Sequence, residues 1–97
     1  MSDIVLHVQR FLQVSSKKEK LTAWHISFYL AVCFASLSGN LVIGFRSSRS
    51  RIMAHAHIRG RTAYHRYLKD LIALGLIRYE PSYHPTKASL FKLAPID

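Results

Sequence analysis

The chain has 97 residues, of which 49% are hydrophobic and 20% charged, so it holds one domain with a real core, and wholesale disorder is excluded. Fourteen Lys and Arg against five Asp and Glu give a net charge of +9, which points to a polyanionic partner, nucleic acid ahead of an anionic membrane surface. A single cysteine excludes an intramolecular disulfide and any Cys-pair zinc site.

Residues 3–14 carry Ile4, Val5, Val8, Phe11 and Leu12 at helical spacing, and Ser2 or Asp3 can cap this first amphipathic helix. Ser15 to Lys20 read as a polar break. Thr22 is placed to cap a second helix over 23–38, with Gly39 placed to end it. At 100° per residue this helix has two apolar faces. Ile26, Leu30, Cys33, Phe34 and Leu37 form one; Trp24, Phe28, Ala31, Val32 and Ala35 form the other. Ser27 and Ser38 border them on one side, and His25, Tyr29 and Ser36 on the other. One face serves the domain core. Trp24, Phe28 and Val32 are expected at the interface of a homodimer, with closure by the first helix as the alternative.

No charge occurs from Leu21 through Phe45, yet only Ala23 to Leu37 is densely apolar, short of the about 20 residues a membrane span needs. No membrane partner is expected. The start Met1-Ser2-Asp3 lacks the basic opening of a signal peptide, so a cytoplasmic address is expected.

Asn40 to Phe45 read as a brief strand, with Val42 and Ile43 β-branched. Ser47 or Ser48 can cap a third helix to about His57, with Ile52, Met53 and Ala56 inward. Ile58-Arg59-Gly60 reads as a tight turn. A fourth helix runs from Arg61 to Leu74 with Gly75 closing it, its inner stripe being Tyr64, Leu68, Leu71 and Ile72. Leu76 to Tyr79 and Leu90 to Leu93 read as strands around a loop with Pro81 and Pro85. Residues 1–38 therefore look built to pack, and 40–93 to bind. The charge agrees: residues 1–45 carry a net +2 and residues 46–92 a net +8.

Two short helices around a turn, then a long-looped hairpin, make a helix-turn-helix with a wing, in a chain that is mainly α with a small β-sheet. The run from Arg61 through Leu74-Gly75-Leu76-Ile77 resembles the recognition helix and first wing strand of winged-helix DNA-binding proteins. Ser48-Arg49 with Ile52-Met53, Thr62-Ala63-Tyr64-His65, the wing Tyr79 to Ser89, and Trp24-His25-Ile26-Ser27 in the second helix are similar to a family of small winged-helix proteins of bacterial mobile elements. Arg59-Gly60 and Ala88 stand where that pattern has Gly-Ser and Gly. The resemblance implies a DNA-binding transcriptional regulator or accessory factor.

The residues give a mechanism of their own. Arg61, Thr62, His65, Arg66 and Lys69 fall on the outer face of the fourth helix, where a major groove would meet them. Arg49, Arg51 and Arg59 suit phosphates, and His84 and Lys87 in the wing suit the flanking backbone. Tyr79, Tyr83 and Phe91 read as core or wing anchors ahead of base-stacking groups. The expected partner is double-stranded DNA; an acidic protein or RNA on the same basic face are the alternatives. His55-x-His57 is too close-set and isolated for zinc, and Cys33 reads as core. No metal, cofactor or catalytic residue is expected, since no carboxylate pair, phosphate loop or Ser/His/Asp set is present.

Overall fold

A computed structural model describes residues 2–17, 21–38, 44–82 and 88–93. The chain order is α1 (Ser2–Lys17), α2 (Ala23–Ala35), a 3-10 turn at Ser36–Ser38, β1 (Phe45–Ser47), α3 (Arg49–Ala56), α4 (Arg61–Ala73), β2 (Ile77–Glu80) and β3 (Ser89–Leu93). The protein is thus mainly helical with one small antiparallel sheet, the coarse class that the sequence predicts. Of the strand expected over 40–45, only Phe45 lies within β1; residues 40–43 fall outside the described residues.

Helix α1 is longer than its apolar spacing predicts. Ser15 and Ser16, read as part of a break, continue it because their hydroxyls bond back to the carbonyls of Leu12 and Gln13 at 3.0 and 2.8 Å.

The cap of α2 is a reciprocal box in which Thr22 is the cap and His25 takes the third helical place. The Thr22 N–H donates to His25 Nδ1 at 2.9 Å. A backbone N–H can only donate, so Nδ1 accepts and the ring proton sits on Nε2. That N–H donates to Asp70 Oδ2, 2.8 Å away on α4. The ring also meets Tyr67 edge-on, with centroids 4.9 Å apart. His25 is buried, so every polar atom it carries has a partner inside the chain.

His25, Tyr29 and Ser36 were expected as a polar border of α2; all three are buried. Each meets its polar needs internally. Tyr29 stacks on Phe11 at 4.1 Å and 4°, and its hydroxyl points to the His7 carbonyl at 3.5 Å. Ser36 Oγ donates to the Cys33 carbonyl. The buried arc of α2 is therefore wider than its apolar letters suggest, and it takes in Phe28 and Val32 completely. This corrects the expected dimer interface: Phe28 and Val32 are core residues, Phe28 lying 5.2 Å from the Tyr64 ring, and only Trp24 of that trio reaches solvent.

The sheet has the order β1-β3-β2. Its inner face is an aromatic ladder, because the register sets Phe45 against Phe91 and Phe91 against Tyr79. Ring centroids lie 6.0 and 5.0 Å apart. Gly44 leads into β1 with φ +131°, and a Cβ there would stand 3.1 Å from Leu90 Cδ1 and 3.3 Å from Lys92 Cγ, so both conformation and space require glycine.

Replacing His25 by Ala removes the acceptor for Thr22 and leaves Asp70 without its partner. Urea unfolding should report a loss of about 1–3 kcal/mol. Asp70→Asn keeps an oxygen acceptor for Nε2–H and should lose less.

Burial pushes the Cys33 thiol up to about 12 from its ordinary 9.0. A raised thiol value means that this stabilisation is complete below about pH 9 and is lost as pH climbs toward 12. Burial raises the Tyr29 and Tyr64 phenols as well, in the same sense. Thermal scans should therefore show stability falling above pH 9, and at pH 8 a disulfide reagent should reach Cys33 only after unfolding.

Candidate nucleic-acid interface

The site is built on α3, the connection 57–60 and α4. Ser48 caps α3, accepting from the Arg51 N–H at 3.1 Å. Ile52 and Ala56 bury its inner side, Met53 less fully. Ser27 Oγ of α2 donates to the Ala56 carbonyl and pins the end of α3.

The connection differs from the glycine-centred turn that the sequence predicts. The Ile58 N–H bonds to the Met53 carbonyl and the His57 N–H to the Ala54 carbonyl, at 3.0 and 3.4 Å, the bonding of a Schellman closure. The left-handed place is taken by His57, with φ 59°, where glycine would be usual. Gly60 is extended and serves as the N-cap of α4, with no side chain to offer. Helix α4 closes in the same way, with Gly75 at φ +74° and Leu76 bonded back to the Leu71 carbonyl at 3.0 Å.

Tyr64, Leu68 and Leu71 form the buried stripe of α4. Ile72, expected with them, is 39% exposed, since it lies 100° round from Leu71 and outside the stripe. Arg61, Thr62, His65, Arg66 and Lys69 are all exposed, so the structure places these five expected residues together on the outward face. His65 stands edge-on to Tyr64, with centroids 5.3 Å apart. Asp70 turns to His25, so its carboxylate is engaged away from the exposed Lys69.

Arg51 and Arg59 are exposed on α3 and the connection. Arg49 is half-buried, and its guanidinium partly offsets the burial that raises the Tyr64 phenol. It is therefore held closer to the core than its neighbours. His84 and Lys87 lie outside the described residues. Trp24 is 48% exposed and borders a cavity of about 590 Å³ shared with His57, Ile58, Arg59, Ala63 and Tyr67.

Sequence reasoning assigned no role to Arg46 or Arg78 on the outer face of the sheet. Arg78 stands directly opposite Lys92, and Arg46, next along the ladder from Phe45, donates to the Ala88 carbonyl at 2.8 Å. Like charges opposed across strands are destabilising. The register that opposes Arg78 to Lys92 depends on the hairpin's length, which the letters of the two strands do not carry.

The same conflict recurs at both helix starts. Neither α3 nor α4 has an acidic residue in its first turn. Arg49 and Arg51 occupy that turn in α3, and Arg61 in α4, where the helix dipole favours negative charge. Cations thus gather where local stability argues against them, as happens at binding surfaces.

Among the described residues no three His, Cys, Asp or Glu side chains converge as metal ligands, and no helix is long and apolar enough to cross a membrane. No protein-family model matches the chain, and no curated protein or solved structure matches it.

The stability conflict can be measured. Arg61→Glu should raise stability by about 0.3–1 kcal/mol by satisfying the α4 dipole. His57→Gly should add about 1 kcal/mol by relieving the left-handed residue. A denaturant midpoint unchanged or lowered in both would refute these readings of the two sites.

Proposed function

We propose that the chain is a winged helix-turn-helix protein that binds duplex DNA, as a regulator or accessory factor of a bacterial mobile element. In this reading α3 and α4 are the helix-turn-helix, α4 is the recognition helix, and β2 with β3 forms the wing. The observation that carries it is the outward face of α4. Arg61, Thr62, His65, Arg66 and Lys69 are exposed there, while the opposite stripe is fixed in the core. A rigid helix with a polar, cationic outer face suits the major groove, where Arg61 and Arg66 can each offer two donors to a guanine.

Arg51, Arg59 and the sheet cations Arg78 and Lys92 supply phosphate contacts, which position without specifying. Phe91 is buried and Tyr79 half-buried in the ladder, as anchors of the sheet, and Tyr83 lies outside the described residues.

Selection from random duplexes, followed by titration, tests the proposal. Arg61→Ala should cost about 1–3 kcal/mol of specific binding and relax one base position. With about 3–5 phosphate contacts per chain, log affinity should fall with log salt at a slope near −0.9 per contact. The sequence has one tryptophan, beside Arg59, so its emission should change on binding. Binding that ignores salt, or that prefers an RNA or an acidic protein to every duplex, overturns the reading.

A further inference from the structure

The cavity of about 590 Å³ beside Trp24 has a chemistry of its own. Three elements wall it: α2 through Trp24, the connection through His57, Ile58 and Arg59, and α4 through Ala63 and Tyr67. Ile58 is buried and Ala63 is small, so together they form an apolar floor. Trp24, His57 and Arg59 are exposed at the rim, and Tyr67 is half-buried. The Tyr67 ring is held from behind by its edge contact with His25. Small-molecule sites span about 300–1,000 Å³, and this cavity lies within that range.

The polar groups around it are donors. An indole N–H and a guanidinium can only donate; the Tyr67 hydroxyl and the His57 ring can donate as well. Among the described residues no carboxylate, side-chain amide or aliphatic hydroxyl lines the cavity. Among the same residues the side chains of Trp24, His57, Arg59 and Tyr67 make no hydrogen bond or ion pair. Helix α4, whose Gly60 cap offers no side chain, adjoins the cavity through Ala63, and the positive end of its dipole acts in the same sense. His57 keeps a left-handed backbone at the rim, a strained placement of the kind found at ligand clamps.

We propose that this cavity binds a small aromatic carboxylate, with the ring between the Trp24 and Tyr67 walls and the carboxylate on the Arg59 guanidinium. Each half of the ligand answers one half of the site. Two aromatic side chains offer area to a flat ring at little entropic cost. The guanidinium fork matches a carboxylate with two parallel bonds. A simple anion leaves both aromatic walls unused, and a neutral arene leaves the cation unpaired. The site does not rest on DNA binding, although both draw on Arg59.

Nuclear magnetic resonance of the ¹⁵N-labelled full chain without DNA tests it. The sequence has one tryptophan, so the spectrum has one indole N–H signal, and that group stands on the cavity wall. Sodium benzoate is titrated to ~20 mM at a constant ionic strength of ~0.1 M. Benzamide supplies the same ring without the charge, and sodium acetate the same charge without the ring. We expect benzoate to shift the Trp24 indole and Ala63 amide signals saturably, in about the millimolar range. Benzamide and acetate should bind at least about tenfold more weakly. Arg59→Gln should lower benzoate to the level of benzamide. Trp24→Leu, read at the Ala63 amide, should lower it to the level of acetate. Both side chains are exposed, so circular dichroism should not change. Lys17→Gln on α1, an equal loss of charge outside the cavity, should leave benzoate binding unchanged. No saturable shift with benzoate, benzamide or acetate binding as tightly as benzoate, or Arg59→Gln binding benzoate like the wild type overturns the proposal.

Discussion

The position of α4 depends on one imidazole. His25 accepts from the Thr22 backbone through one nitrogen and donates to Asp70 through the other, so the start of α2 and the second half of α4 are held by the same buried ring. Its edge on Tyr67 adds a third restraint. Because α2 is the central core helix, this contact gives α4 its orientation. Because Asp70 is consumed by it, the outward face of α4 keeps its positive charge. A structural contact thus sets the electrostatics of the proposed binding face.

That face is assembled against local preference. Arginines open both α3 and α4, a histidine holds a left-handed residue between them, and a glycine stands where Ser or Asp would cap α4. Each choice gives up a fraction of a kcal/mol to about 1 kcal/mol of local stability. Together they leave the first turn of α4 open and cationic, which a phosphate-rich partner would restore. On our proposal, the stability withheld from the free protein is recovered in the complex.

Much of this architecture was legible in the sequence, for identifiable reasons. Thr22, Ser48 and Gly75 mark helix ends by the chemistry of their own side chains, or its lack, and each stands at the predicted end. The Tyr64-Leu68-Leu71 stripe follows from periodicity alone, and with it the exposed set from Arg61 to Lys69. What failed was the reading of α2. Hydropathy ranks His25, Tyr29 and Ser36 as border residues, because a single letter does not reveal the partner that will satisfy it. Their burial rotated the helix and moved Phe28 and Val32 inward. Among the described residues the more exposed apolar face is the other one, carrying Leu30 and Phe34. His57 was missed for a related reason: glycine beside a basic residue looked like the turn, and no signal in the letters marks a histidine that accepts positive φ.

The order of the sheet has a consequence for how the protein is made. β3, last in the chain, lies in the middle, and both ladders run through it; β1 and β2 do not pair with each other. Phe45 must therefore wait for Phe91, across almost half the sequence, before either strand has a neighbour. On a ribosome the helices can collapse early, around α2, while two unpaired strands and two of the three rings of the aromatic ladder remain open until residue 93 clears the exit tunnel. The sheet then closes in a single late event. Loss of the last strand would remove not an edge but the whole sheet, leaving the Phe45 and Tyr79 rings without the Phe91 ring between them.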